Sequence, residues 1–211
     1  MGGPEGVERL GDGLNERLGL RGVGCAVRMV AMNWLITDKG DQDVRRLIDG
    51  ESIGEAPHYS RQSPGNRQYC RNGQNLVFVT SDLLATWITF RPTPGKAIRQ
   101  DKLDAWECAL FRNEGPILSS ILIREAVLLT CALWGLWPKH GFITYIKADA
   151  VRTQIPGYCY RRAGWVRWGA AHDGKPRLRA PKPHDNIKLP TLQWRGDRGG
   201  ILRKRLFPTT P

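Results

Sequence analysis

One stretch of the chain, Ser119 to Trp134, is apolar almost all the way round, interrupted only by Arg124, Glu125 and Thr130. A helix of that kind has no solvent face of its own and must be covered on most sides. The longest apolar run, Ala126 to Trp137, is too short to cross a bilayer, so the cover has to be protein. The flanking segments supply it. Ala105 to Phe111 reads as a strand whose nearly continuous apolar pattern suits the middle of a sheet, and Phe142 to Ile146 reads as another. Strand, helix, strand in that order predicts a crossover at the centre of a mixed α/β sheet.

The rest of the chain fills in around this unit. Val23 to Ile36 fits either a strand or a buried helix, and Asp41 to Leu47 a short helix with Asp41 near its start. Asn75–Thr80 and Leu83–Phe90 read as two strands joined at Ser81-Asp82. Ser119 or Ser120 is expected to cap the long helix. A short helix is expected over Tyr158–Ala163 with Gly164 as a left-handed cap, then a strand at Trp165–Gly169 turned at Asp173-Gly174 toward Pro176–Arg179. At 211 residues, with eight tryptophans, the chain suits one domain with a substantial core. Residues 1–22 are expected to be a flexible segment, 23–180 the catalytic domain, and 181–211 a basic arm or wrap.

The five cysteines are odd in number and widely spaced, without a CxxC, which fits a reduced protein better than a disulfide framework or a zinc site. The first residues have no basic region followed by an apolar one, so no export signal is expected, and a cytoplasmic location is the simplest reading. Charge is uneven. Residues 147–211 carry 15 Lys/Arg against 4 Asp/Glu, a net +11, whereas residues 1–146 carry 17 against 16, a net +1. Such a surface suits a polyanion; the plainer alternative is a solubilising tail. Arg152, Arg161, Arg162, Arg167, Lys175, Arg177, Arg179 and Lys182 interleave with Trp165 and Trp168, a pattern that would grip phosphates. Trp165, after Ala-Gly, is expected in the core.

Four motifs carry a resemblance: Pro57-His58-Tyr59-Ser60, Phe111-Arg112-Asn113-Glu114, the Ser119-Ser120 helix start through Arg124-Glu125-Ala126, and Pro156-Gly157-Tyr158-Cys159-Tyr160 through Ala163-Gly164-Trp165. Over about residues 56–180 the chain resembles the GNAT (N-acetyltransferase-like) superfamily, and within it the phage and prophage branch of Mom DNA-modification proteins. The resemblance implies a mostly antiparallel central sheet with one long crossover helix and flanking short helices. It implies a transferase that converts adenine in DNA to a carbamoylmethyl-like derivative, acting in the host cytoplasm if phage-encoded. His58, Tyr59, Asp149 and Tyr158 would form its catalytic and iron-binding centre, since imidazole, carboxylate and phenolate make a plausible shell for iron. Arg112, Gly115, Ser119 and Ser120 would bind acetyl-CoA or another acyl donor, although Pro116 and Ile117 depart from the usual glycine-rich phosphate loop. In many acetyltransferases a tyrosine after the fifth strand protonates the leaving thiolate, and Tyr158 or Tyr160 would occupy that region. Cys159 reads as a filler rather than a nucleophile. DNA is the expected partner, with a homodimer left open. The rival readings are a CoA-dependent N-acyltransferase acting on a protein, an RNA or a small amine, and a nucleic-acid-binding protein without catalysis.

Overall fold

The computed structural model describes residues 34–61, 63–93, 99, 101–150, 155–184 and 190–195. They form a mixed, mostly antiparallel sheet of eight strands with three α-helices. The strands are β1 (Trp34–Thr37), β2 (Gln74–Thr80), β3 (Ala85–Arg91), β4 (Trp106–Asn113), β5 (Phe142–Tyr145), β6 (Val166–Ala170), β7 (Pro176–Arg179) and β8 (Leu192–Trp194). The helices are α1 (Gln42–Asp49), α2 (Ser119–Trp134) and α3 (Tyr158–Arg162). The sheet order is β6-β7-β5-β4-β3-β2-β1-β8, with β4/β5 and β1/β8 parallel and the other pairs antiparallel.

The central crossover forms as its pattern demands. α2 joins the two parallel strands β4 and β5 and buries Leu122, Ile123, Ala126, Val127 and Leu129 against a core that contains Trp34, Phe78, Trp87, Trp106 and Phe142. Of its polar interruptions, Arg124 is exposed, and Glu125 and Thr130 are hydrogen-bonded. Thr130 donates to the Ala126 carbonyl at 2.8 Å and meets Thr89 at 3.2 Å, and the Glu125 carboxylate accepts the Trp34 indole N–H at 2.8 Å. Trp165 lies in the same core, 3% exposed, as its position after Ala-Gly implied. A smaller core on the other sheet face is built from Val44 and Ile48 of α1 with Val77, Val79, Ile88 and Leu110.

Local signals explain the shorter elements. Asp41 caps α1, its carboxylate accepting the N–H groups of Asp43 and Val44 at 3.0 and 3.1 Å. The β2–β3 connection is longer than a two-residue turn: Asp82 accepts from Thr80 and Leu84, and Leu83 adopts φ +61°. Neither Ser119 nor Ser120 caps α2. The cap position is Leu118, without a side-chain bond, and the Ser119 hydroxyl instead accepts from Asn113 at 3.0 Å. The basic segment after Pro181 returns to the far edge of the sheet, where β8 pairs with β1 and Arg195 bridges Asp41 and Asp43. Of the Val23–Ile36 segment, residues 23–33 lie outside the described residues. No helix among the described residues is long and apolar enough to cross a membrane.

Candidate functional site

The parallel strands at the centre part company early. β4 and β5 pair only at Trp106–Phe142 and Glu107–Ile143. Beyond that the Thr144 hydroxyl, not the ladder, reaches the Cys108 carbonyl at 3.1 Å. Ile88 faces Leu110 while Thr89 faces Cys108, so Ala109 is a bulged residue that bends β4 away from β5. The wedge is filled by Tyr160, whose hydroxyl lies 3.3 Å from the Cys108 sulfur. Burial pushes both groups well above their ordinary pKa values, so both stay protonated.

Above the wedge, at the carboxyl ends of the two strands, lies a cleft of about 380 Å³. His58 and Tyr59 line it from the loop after α1. Phe111 to Glu114 come from the end of β4 and Ser119 from the start of α2. Ile146, Ala150, Gly157, Cys159 and Tyr160 complete it. The histidine–tyrosine pair and the segment after β5, distant in sequence, therefore share one cleft.

Arg112 holds the histidine loop in place. Only 8% exposed, it donates to Glu114 at 2.8 Å, to the Ala56 carbonyl at 2.9 Å and to the Ile48 carbonyl at 3.2 Å. The same Ile48 carbonyl accepts the His58 backbone N–H at 2.8 Å. His58 and Tyr59 stack with ring centroids 4.2 Å apart. The His58 Nδ1 accepts the Ser60 backbone N–H at 3.2 Å, and the ring also bonds the Phe111 backbone. Burial first, then the Arg112 charge, pull its pKa down to about 4 against that bond, so the ring is neutral at pH 7. Tyr59, 37% exposed at the mouth, is pushed up to about 12 by burial and by Cys108 and Cys159. Burial likewise raises the Cys159 thiol, which suits a filler and not a nucleophile.

The expected iron centre is corrected by this geometry. Among the described residues no group of three or more His, Cys, Asp or Glu side chains could hold a metal ion. Of the four expected ligands, His58 and Tyr59 reach the cleft, but their neighbours' roles are reversed on the other wall. Ala150 and Gly157 line it, whereas Asp149 sits exposed on a single 3₁₀ turn (Ala148–Ala150) and Tyr158 is 53% exposed. Both His58 nitrogens are already engaged, and Tyr59 resists ionisation, so neither offers the electron pair that a ligand needs. The acyl-donor cradle is no better supplied. Arg112 is occupied by Glu114 and two carbonyls, and the Gly115 amide by the Asn113 side chain at 3.0 Å. Ser119 lines the cleft; Ser120 does not.

Asn113 is the residue that the sequence reading passed over. Its carboxamide accepts from Gly115 and donates to the Ile117 carbonyl at 2.7 Å and to Ser119, which fixes the β4–α2 turn. An Asn two residues before Gly-Pro is a legible Asx-turn signal.

Cations are exposed on α3, whose Cys159 and Tyr160 line the cleft, and on the edge strand β6. Arg161 and Arg162 are exposed on α3 and Arg167 on β6. Arg177 and Arg179 instead lie over the Trp168 ring, 4.4 and 5.0 Å from its centroid, and Arg177 also donates to the Trp168 carbonyl at 2.9 Å. Lys175 pairs with Asp173 at 2.5 Å, Lys182 is exposed, and Arg152 lies outside the described residues. The cleft, with the Arg112–Glu114 pair compensated and His58, Tyr59 and Cys159 uncharged, is thus electrically neutral at pH 7. No protein-family model, no curated protein and no solved structure matches this chain.

Proposed function

We propose that this protein is a GNAT-like transferase of the Mom type that modifies adenine in DNA, with the β4–β5 cleft as its reaction centre. The observation that carries the reading is the divergence of the two parallel strands after only two paired residues, which opens a neutral, aromatic-lined cleft beside exposed arginines. An uncharged heterocycle would leave water for such a cleft at little electrostatic cost, while its phosphates stay outside on Arg161, Arg162 and Arg167. Reaching the cleft requires a single strand or a flipped nucleotide.

Within that reading His58 is a positioning residue. Its ring is held neutral and supports the Tyr59 ring in a tilted contact, 32° between the ring planes. Tyr59, protonated throughout the physiological range, donates or relays a proton at the cleft mouth. As an exocyclic amine attacks a donor carbon, the bond from that carbon to its carrier breaks; Tyr59 gives its proton to the departing carrier atom and takes back the proton that the amine sheds once the new C–N bond has formed. The reading involves no metal.

The test is nucleoside mass spectrometry of DNA from cells expressing the intact chain, beside Tyr59→Phe and a vector control. A heavier adenine-derived nucleoside that is lost or strongly reduced in Tyr59→Phe supports the assignment. DNA of unchanged composition overturns it and favours a binding protein without catalysis.

A further inference from the structure

A second cavity, of about 650 Å³, lies at the other end of the β4–β5 pair, beside the first residues of both strands. Trp106 and Trp137 form its apolar floor, and Leu136, 94% exposed, stands at its edge. Arg91, Lys102 and Lys139 line its walls. Arg99 lines it too, but is engaged with Asp101 and Glu107 at 2.7 Å each. Asp104 is the one acidic lining residue, and its carboxylate accepts the Lys139 backbone N–H at 3.1 Å. The cavity therefore carries a net positive charge, in contrast to the neutral cleft.

Arg91 is the most informative group in it. Its Nε donates to the Gln74 side chain at 2.5 Å, and the guanidinium carbon lies 4.4 Å from the centroid of the Trp134 ring. Its two terminal nitrogens meet no acceptor among the described residues. No carboxylate among the described residues offsets its partial burial, which lowers its pKa. A guanidinium fixed at Nε and on one face, with both outer N–H groups unused, is a fork prepared for a two-point oxyanion. Lys102 adds a second sign of preparation. It holds φ +55°, a left-handed conformation that costs a residue with a side chain free energy and here sets a lysine on the cavity wall.

We propose that this cavity binds a nucleotide unit, its phosphate on the Arg91 fork with Lys102 and Lys139 and its base against Trp137 and Leu136. An oxyanion alone would leave the apolar floor wet, and an apolar ligand alone would leave Arg91 half-buried and uncompensated. A phosphate joined to a flat ring meets both requirements. The inference does not depend on the transfer chemistry assigned to the cleft.

Calorimetric titration of the full chain with dAMP, deoxyadenosine and inorganic phosphate tests it. dAMP is expected to bind about tenfold or more tightly than either fragment, and Arg91→Lys to weaken dAMP by about tenfold, because lysine keeps the charge and loses the fork. Lys102→Gly serves as a variant that cannot fail by misfolding: it relieves the backbone, so thermal stability should rise while dAMP affinity falls about threefold. Displacement of dAMP by a short single strand with a 5′-phosphate but not by its 5′-hydroxyl form identifies a strand end as the source. Displacement by both forms identifies an internal unit, and by neither a free nucleotide. Equal dAMP binding by wild type and Arg91→Lys, phosphate binding as tightly as dAMP, or no dAMP binding at all overturns the proposal. DNA from cells expressing Arg91→Lys should keep any modified nucleoside, so failure here and failure of the transferase reading are separable.

Discussion

Acid should weaken this fold through one imidazole. His58 titrates near 6.5 in an unfolded chain and near 4 in the folded protein. Because the folded value is the lower one, the unfolded state takes up the proton first. The contribution is complete above pH 6.5 and is lost progressively as pH falls toward 4. The full span corresponds to roughly 3 kcal/mol, and at pH 4.5 roughly 2.5 kcal/mol of it should be gone. Carboxylates such as Asp49 and Asp101, held below their ordinary range by Arg61 and Arg99 against the opposing effect of burial, lose stability in the same direction, so the wild type alone is not diagnostic. The informative quantity is a difference. Urea unfolding at pH 7 and pH 4.5 should show wild type losing about 2.5 kcal/mol more than His58→Gln, whose amide does not titrate. The imidazole resonances of the folded protein should give the low value directly. Parallel losses in the two proteins, or a folded value near 6.5, would falsify the view that burial and Arg112 keep this ring neutral.

Three further outcomes follow from the same geometry. Arg112→Leu removes three bonds, to Glu114, to the Ile48 carbonyl of α1 and to the Ala56 carbonyl of the histidine loop, so stability should fall by about 2–4 kcal/mol in denaturant titration. Its loss should also raise the His58 pKa, though not to 6.5, since burial is the larger cause. Gly157→Ala places a methyl 3.0 Å from Leu178 and 3.1 Å from Ile146 at φ +75°, and thermal unfolding should register a loss of about 1–3 kcal/mol. If Arg161, Arg162 and Arg167 each hold a phosphate, replacing all three by alanine should weaken DNA binding and flatten its log–log salt dependence by about 3 units; an unchanged slope removes them from the interface.

Much of the sheet was legible because its signals are local. The nearly continuous apolar character of Ala105–Phe111 implied a central strand, and β4 is the fourth of eight. Asp41 and Gly164 announced helix ends that the backbone adopts, with Gly164 at φ +91°. Leu192–Trp194 gave no such signal: three residues between prolines and arginines become a strand only because β1 offers an unpaired edge. The site was legible in part. That the histidine loop and the segment after β5 share a cleft came from the resemblance, since no spacing rule joins residues about a hundred positions apart. Which atoms are free within it was not readable, because it depends on backbone partners. Ser60 N–H takes the His58 lone pair, and the Ile48 and Ala56 carbonyls take Arg112. Side-chain inventories name candidate ligands, whereas the main chain decides which remain available.

The pairing of β8 with β1 bears on how the chain reaches its native state. Arg195 and Asp41 meet at a sequence separation of 154, and the β1 ladder is completed only by residues near 192–194. Contacts of such high sequence separation carry a loop-closure cost before they give any return, and they slow folding. During synthesis β1 and α1 emerge well before Leu192–Trp194, so the β1 edge waits for its partner strand until those residues follow. Premature termination upstream of Thr191 would yield a polypeptide with an unprotected strand, prone to pair with its own kind instead.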